Sequence, residues 1–125
     1  MAQLFQDASV LITGGLGFVG GNLSLELFDM GSKITIYDSM LKGSGASLEN
    51  IKKIKDGVTL KVADVRDFET LKSVVREKDV IFHLAATVNR IDSVNDPKID
   101  FDINCFGTLN LLEAARQCND GAIIV

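Results

Sequence analysis

Glycines at positions 14, 17 and 20, followed by an aspartate at 38, are the residues whose types and spacing could do chemistry. The glycines fall in the stretch from Thr13 to Gly20, which leaves an apolar run and opens a helical pattern. Glycine clusters are common in turns, so the triplet carries weight only through that context. There each glycine has a task. Gly14 lets the chain turn sharply, Gly17 lets backbone approach a pyrophosphate with no Cβ in the way, and Gly20 lets the helix pack closely on the sheet. The free N–H groups of the first helical turn, around Phe18 and Val19, favour an anion together with the helix dipole.

Asp38 stands 21 residues after Gly17 and 18 after Gly20. An acid there can accept hydrogen bonds from the hydroxyls of an adenosine ribose. The same carboxylate repels a 2′-phosphate, so NAD is expected in preference to NADP, with Lys42 near enough in sequence to soften that preference. The competing reading, a structural turn followed by a surface aspartate, does not account for the strand before the loop and the helix after it.

The elements that must position these residues alternate strand and helix. Ala8 to Thr13 is a short apolar run, as in a strand buried on both faces. Phe18 to Met30 carries Val19, Leu23, Leu27 and Met30 as a helical stripe, and Gly31 stops it. Lys33 to Tyr37 reads as the second strand, which Asp38 ends. Ser47 can cap a short helix reaching Ile54, and Asp56-Gly57 turns the chain into a third strand from Val58 to Ala63.

Asp67 caps a helix bearing Phe68, Leu71 and Val75, and Asp79 to Leu84 is the fourth strand. A long helix, apolar on more than one side, runs from Ser93 or Pro97 to Gln117. Ala122 to Val125 starts a fifth strand. Strands separated by helices imply parallel pairing and right-handed crossovers. The expected architecture is a doubly wound parallel α/β sheet of the Rossmann type, ordered 3-2-1-4-5, in a single incomplete domain over residues 1–125 that stops within strand 5.

Size and composition set the limits. The 125 residues fit one domain able to bury a core. The formal charge of -4 and the lack of a dense basic cluster argue against nucleic acid. Lys52, Lys53 and Lys55 read as a solvated helix face. Cys105 and Cys118 fall in one helical stretch, about 20 Å apart by helix rise and beyond disulfide reach, with Cys105 expected in the core. No secretory leader precedes the first strand, and no apolar run approaches the roughly 20 residues that span a bilayer. A cytoplasmic, membrane-free protein with no metal site is expected, and its partner is a small molecule.

The glycine spacing resembles that of the extended short-chain dehydrogenase/reductases, a family of sugar-nucleotide epimerases and dehydratases. Three more stretches match in order: Ala63 to Asp67, Phe82 to Ala86, and Asp96-Pro97 followed by Asn104 to Ala115. That resemblance implies that Gly14, Gly17, Phe18, Val19 and Gly20 meet the pyrophosphate, and that Asp38 with Ser39 meets the adenosine ribose. Asp64 and Val65 would bracket the adenine, with Leu84, Ala85 and Ala86 lying toward the nicotinamide ribose. Asn104 matches the family's helix asparagine, a member of its Asn-Ser-Tyr-Lys catalytic group.

Other readings stand beside these. Asp64 could only cap its loop, His83 reads as a buried hydrogen-bonded strand residue, and Asn104 could simply support the strand-4 loop.

The family's catalytic Ser or Thr and its Tyr-x-x-x-Lys follow strand 5, and the 125 residues contain neither. Tyr37, the one tyrosine, lies in strand 2. The expectation is therefore a NAD-binding portion of an epimerase or dehydratase, inactive by itself, with a sugar nucleotide as the parent's substrate. The alternatives are a non-enzymatic NAD-binding or redox-sensing module and an interaction fragment. Self-association through strand 5 and the long helix is expected as well.

Overall fold

The computed structural model describes residues 2–87 and 94–125. Its centre is a five-stranded parallel sheet in the order β3-β2-β1-β4-β5, the order expected from the sequence. The strands are β1 (Ser9–Thr13), β2 (Lys33–Asp38), β3 (Thr59–Val62), β4 (Val80–His83) and β5 (Ile123–Ile124).

Alternation along the strands explains both layers. Val10, Ile12, Ile34 and Ile36 point to one face and form a core with Leu16, Leu27, Ile51 and Ile54. Leu11, Tyr37 and Ile81 point to the other face, where Val65, Leu71, Val75, Leu111 and Ala114 close over them. A strand that feeds two cores cannot alternate polar with apolar, so β1 reads as one apolar run.

Helix α1 (Ala2–Phe5) is a single turn that the sequence did not announce. Helix α2 (Phe18–Asp29) covers the first face; Leu23, Leu27 and Met30 of the expected stripe pack there, and Val19 does not. Its buried residues are Gly20, Gly21, Ser24 and Leu27, while Val19 is 63% exposed. Gly20 and Gly21 let α2 lie close to the glycine loop and to Asn50, and Ser24 Oγ donates to the carbonyl of Gly20 at 2.7 Å. Gly31, at φ +90°, ends the helix in the left-handed region.

Ser47 does cap a helix, but only a 3₁₀ turn over Leu48–Ile51, followed by irregular turns to Gly57. Helix α3 (Phe68–Val74) is capped by Asp67, which accepts the N–H of Thr70 at 3.1 Å.

The long helix runs unbroken from Pro97 to Cys118, one residue past the expected Gln117, but it contains a π turn. Helix α4 (Pro97–Phe101), capped by Asp96, passes into a π turn over Asp102–Phe106 and then into α5 (Gly107–Cys118). The alternative start at Ser93 lies outside the described residues. Gly107 shows why the second half sits where it does. A Cβ there would come within 2.5 Å of Val65 Cγ2, so α5 can press directly on the loop after β3. Cys105, expected in the core, is exposed on the π turn. No helix among the described residues is long and apolar enough to cross a membrane.

Candidate functional site

The C-terminal ends of β1, β2 and β4 lie side by side, with Thr13 opposite both Tyr37 and His83. Connections leave this point toward opposite faces of the sheet, which opens a crevice at the switch in strand order. A cleft of about 230 Å³ occupies it.

The glycine loop forms one wall. Gly14 has φ +67°, and a Cβ on it would lie 2.8 Å from the Leu84 carbonyl and the Ala85 nitrogen. Gly17 caps α2 with an extended backbone and no side-chain bond to the helix. The first N–H groups of α2 therefore lack a side-chain cap and remain available to an anion. A Cβ on Gly17 would meet only the Gly14 carbonyl, at 3.3 Å. Gly20 was expected to bring α2 close to the sheet. Its Cβ would instead strike the Gly14 carbonyl and the Gly15 Cα, so the tight packing is of helix on loop.

Leu16, in the middle of that loop, is held from two directions. Its N–H donates to Asp38 Oδ2 at 3.0 Å, and its carbonyl accepts from the Asn50 amide at 2.7 Å and the Ser47 N–H at 3.0 Å. Asp38 is buried and its Oδ1 accepts the N–H of Met40 at 2.8 Å. A carboxylate has about four acceptor positions, so ribose hydroxyls can still be received.

Asp64 sits across the cleft in a bidentate pair with Arg66, at 2.9 Å from Nε and 2.7 Å from the terminal nitrogen. These bonds hold its carboxyl below the usual carboxylate range. The Tyr37 hydroxyl donates to the Asp64 carbonyl at 2.6 Å, and burial pushes the phenol pKa well above its ordinary value.

All twelve residues expected around a dinucleotide line this one cleft. Gly14, Gly17, Phe18, Val19 and Gly20 lie along the loop; Asp38 and Ser39 after β2; Asp64 and Val65 after β3; Leu84, Ala85 and Ala86 after β4. Lys42 is exposed and does not line it.

Asn104 is not among the lining residues either. Its side-chain oxygen accepts the Thr87 N–H at 2.8 Å, and its amide donates to the Thr87 carbonyl at 3.2 Å and to Asp100 Oδ1 at 3.1 Å. The amide thus clasps the loop after β4.

Sequence reasoning did not single out Ser44, Ala46, Thr87 and Ile103 as lining residues, nor Asn50 as an anchor. The small residues between Gly43 and Ala46 were the available signal for the first two. Asn50 had none, because its partner lies 34 residues away. No cluster of His, Cys, Asp and Glu placed to hold a metal occurs among the described residues.

Fold and cleft together define a doubly wound α/β protein with an open cleft at its switch point. Residues 11–124 match the GDP-mannose 4,6 dehydratase family, and the chain belongs to it. It is 34% identical over 119 residues to the CDP-paratose 2-epimerase of Salmonella typhi, a match covering 93% of this chain and 35% of that protein.

Among solved structures, the epimerase Mth375 of Methanothermobacter thermautotrophicus superposes with a TM-score of 0.85 at 34% identity, covering 94% of this chain and 34% of that one. The UDP-glucose 4-epimerase of Thermus thermophilus in complex with NAD gives 0.76 at 37% identity, covering 87% and 34%. The chain therefore spans about a third of the length of the relatives it matches.

Proposed function

We propose that this chain carries the NAD-binding portion of a sugar-nucleotide epimerase or dehydratase, within a single cofactor domain over residues 1–125. The observation that carries the reading is the convergence of an uncapped α2 N-terminus, an open Gly17 and the Asp38 carboxylate on one cleft. The relatives named above support the choice of cofactor and of substrate class.

The residues present fit that cofactor. The N–H groups at Phe18 and Val19 would take the pyrophosphate, with Gly14, Gly17 and Gly20 keeping the loop bare. Asp38 and Ser39 would receive the adenosine ribose, and Asp64 with Val65 would flank the adenine. Leu84, Ala85 and Ala86 would run beside the nicotinamide half. When bound, NAD supplies the hydride acceptor for oxidation of a sugar hydroxyl; the chain supplies grip and orientation. A 2′-phosphate would meet the Asp38 carboxylate, which favours NAD over NADP.

Among the described residues, the cleft lining brings no lysine beside its one tyrosine, so the family's Tyr-x-x-x-Lys pair is not met there. Tyr37, the single tyrosine, is committed to the Asp64 carbonyl, and Asn104 serves here as a positioning residue for Thr87. Binding without turnover is the expected behaviour of these 125 residues. The cleft, at about 230 Å³, is also smaller than the roughly 300–1,000 Å³ of complete ligand sites, so it grips part of the dinucleotide.

Titration calorimetry with NAD and NADP tests the reading. NAD binding more tightly than NADP is expected, and equal or tighter NADP binding defeats it. NADH formation or sugar epimerisation by the purified chain would refute the claim of binding alone.

A further inference from the structure

We propose that His83 is a positioning residue for the cleft, a neutral imidazole protonated on Nε2 that locks the Leu84–Ala85 wall to the π turn carrying Asn104. The proposal rests on the dinucleotide reading above and assigns it one more part.

Donor and acceptor inventory fixes the direction of every bond. The N–H groups of Leu84 and Ala85 both reach Thr13 Oγ1, each at 3.1 Å, the Leu84 N–H being shared with the Thr13 carbonyl at 3.2 Å, and together they occupy its lone pairs. The Thr13 hydroxyl proton must then go elsewhere. The acceptor in reach is His83 Nδ1 at 2.8 Å, which makes that nitrogen the unprotonated one.

The other end gives the same answer independently. Thr108 Oγ1 donates its only proton to the Asn104 carbonyl at 2.6 Å. It can meet His83 Nε2, 2.9 Å away, only by accepting, so Nε2 carries the hydrogen. The imidazole is therefore a one-way link between two hydroxyls.

Its two ends act on the same wall of the cleft. Through Thr13 the link holds the backbone of Leu84 and Ala85, against which Gly14 leans with no room for a Cβ. Through Thr108 it holds the π turn, where the Gly107 N–H pairs with the Asp102 carbonyl. Asn104 projects from that turn and clasps both backbone groups of Thr87. The strand-4 loop is thus fixed at Leu84–Ala85 and again at Thr87, with His83 joining the two fixings. π turns inside helices often mark functional sites, and this one sits where the link needs it. A protonated ring would aim Nδ1–H at an oxygen whose lone pairs are filled. Burial pushes the imidazole pKa down in the same sense.

The chain has one histidine, so its ring nitrogens give an unmixed ¹⁵N signal. At pH 7.5 the unaltered chain should show the neutral Nε2–H tautomer. The Nδ1–H tautomer, or an average of the two as in a free ring, overturns the proposal.

Thr108→Val then removes the far acceptor without touching the cleft lining. The variant loses the bond to His83 and the one to the Asn104 carbonyl, and NAD should weaken by roughly two- to tenfold or more, at least the net worth of one hydrogen bond, while ADP, which lacks the nicotinamide half, binds as before. Thr108→Ser should restore NAD affinity. ADP and NAD weakening together, or neither changing, overturns the positioning role. If the unaltered chain binds neither ligand, the dinucleotide reading itself fails and the proposal with it. If it binds both and the ring is Nδ1–H, the proposal alone fails.

Discussion

The carboxylate of Asp38 accepts the backbone N–H of Leu16 at 3.0 Å across 22 residues of sequence, tying the end of β2 to the middle of the glycine loop. Its second oxygen holds Met40, which sits at φ +51°. Asp38 therefore shapes the cleft as well as facing it. Asp38→Asn keeps the size but puts an amide nitrogen where one of these N–H donors needs an acceptor. A buried donor left unpaired costs about 1–3 kcal/mol. Urea denaturation of the variant should show a loss of that order, together with weaker NAD binding. Unchanged stability would mean that Asp38 is only a ligand contact.

The glycines separate into those the fold needs and one the ligand needs. Gly17 has φ -73°, and a Cβ there meets only the Gly14 carbonyl. Gly17→Val should cost less stability than Gly14→Ala, since its Cβ asks only for a small shift of one carbonyl, and should abolish NAD binding, because the branched side chain would stand where the pyrophosphate approaches. Gly14→Ala behaves differently. Its φ of +67° and the 2.8 Å approach to the Leu84 and Ala85 backbone make the alanine form strained and crowded. About 2 kcal/mol or more of destabilisation is expected. Thermal unfolding beside calorimetry distinguishes the two classes of variant.

These contrasts also show what could be read from sequence and what could not. Strand order and the cleft were legible because their signals are local: apolar runs, a glycine spacing, an acid at a strand end. The π turn within the long helix was not. The contacts around it are long-range: Gly107 lies against Val65, 42 positions earlier, and Thr108 reaches His83. Val19 fitted a helical stripe by spacing, yet α2 turns Gly20 to the glycine loop and Gly21 to Asn50 and leaves Val19 at the cleft. Cys105 read as a core thiol because its helix is apolar on several sides. The π turn rotates that position outward.

The half-buried His83 gives stability a definite pH dependence. Its pKa in the folded chain lies below the ordinary 6.5, with burial as the cause. The unfolded chain therefore takes up a proton first as pH falls below about 6.5. Stability is fully present above that value and declines until the folded-state pKa is passed. The slope cannot exceed one proton, about 1.4 kcal/mol per pH unit. The carboxyls of Asp64 and Asp67, held low by their hydrogen bonds, lose their contribution only at more acidic pH. Denaturation midpoints between pH 7.5 and 5.5 should fall with a flat denaturant slope. A midpoint that rises on acidification would show that the folded ring prefers to be charged.

Phe106 at the end of the π turn and Leu109 and Leu112 of α5 follow at three-residue spacing, all exposed, and β5 adds exposed Ile123. Residues three apart lie on one helix face, so the aromatic and the two leucines form a stripe rather than scattered points. Within the described sheet, β5 pairs only with β4, which leaves its other edge with open backbone groups. An apolar stripe and an open strand edge both favour contact with another chain. Sedimentation at micromolar concentration should therefore show self-association of these 125 residues. Replacing Leu109 and Leu112 together with Glu should shift the population to monomer without unfolding it, since neither side chain is in either core. A compact monomer at all concentrations, with strong amide protection from Ile123 to Val125, would show that the chain satisfies this edge by itself. Protection is the discriminating measurement: strand pairing within a dimer protects those amides only at concentrations where the dimer forms, whereas an internally satisfied edge protects them at every dilution.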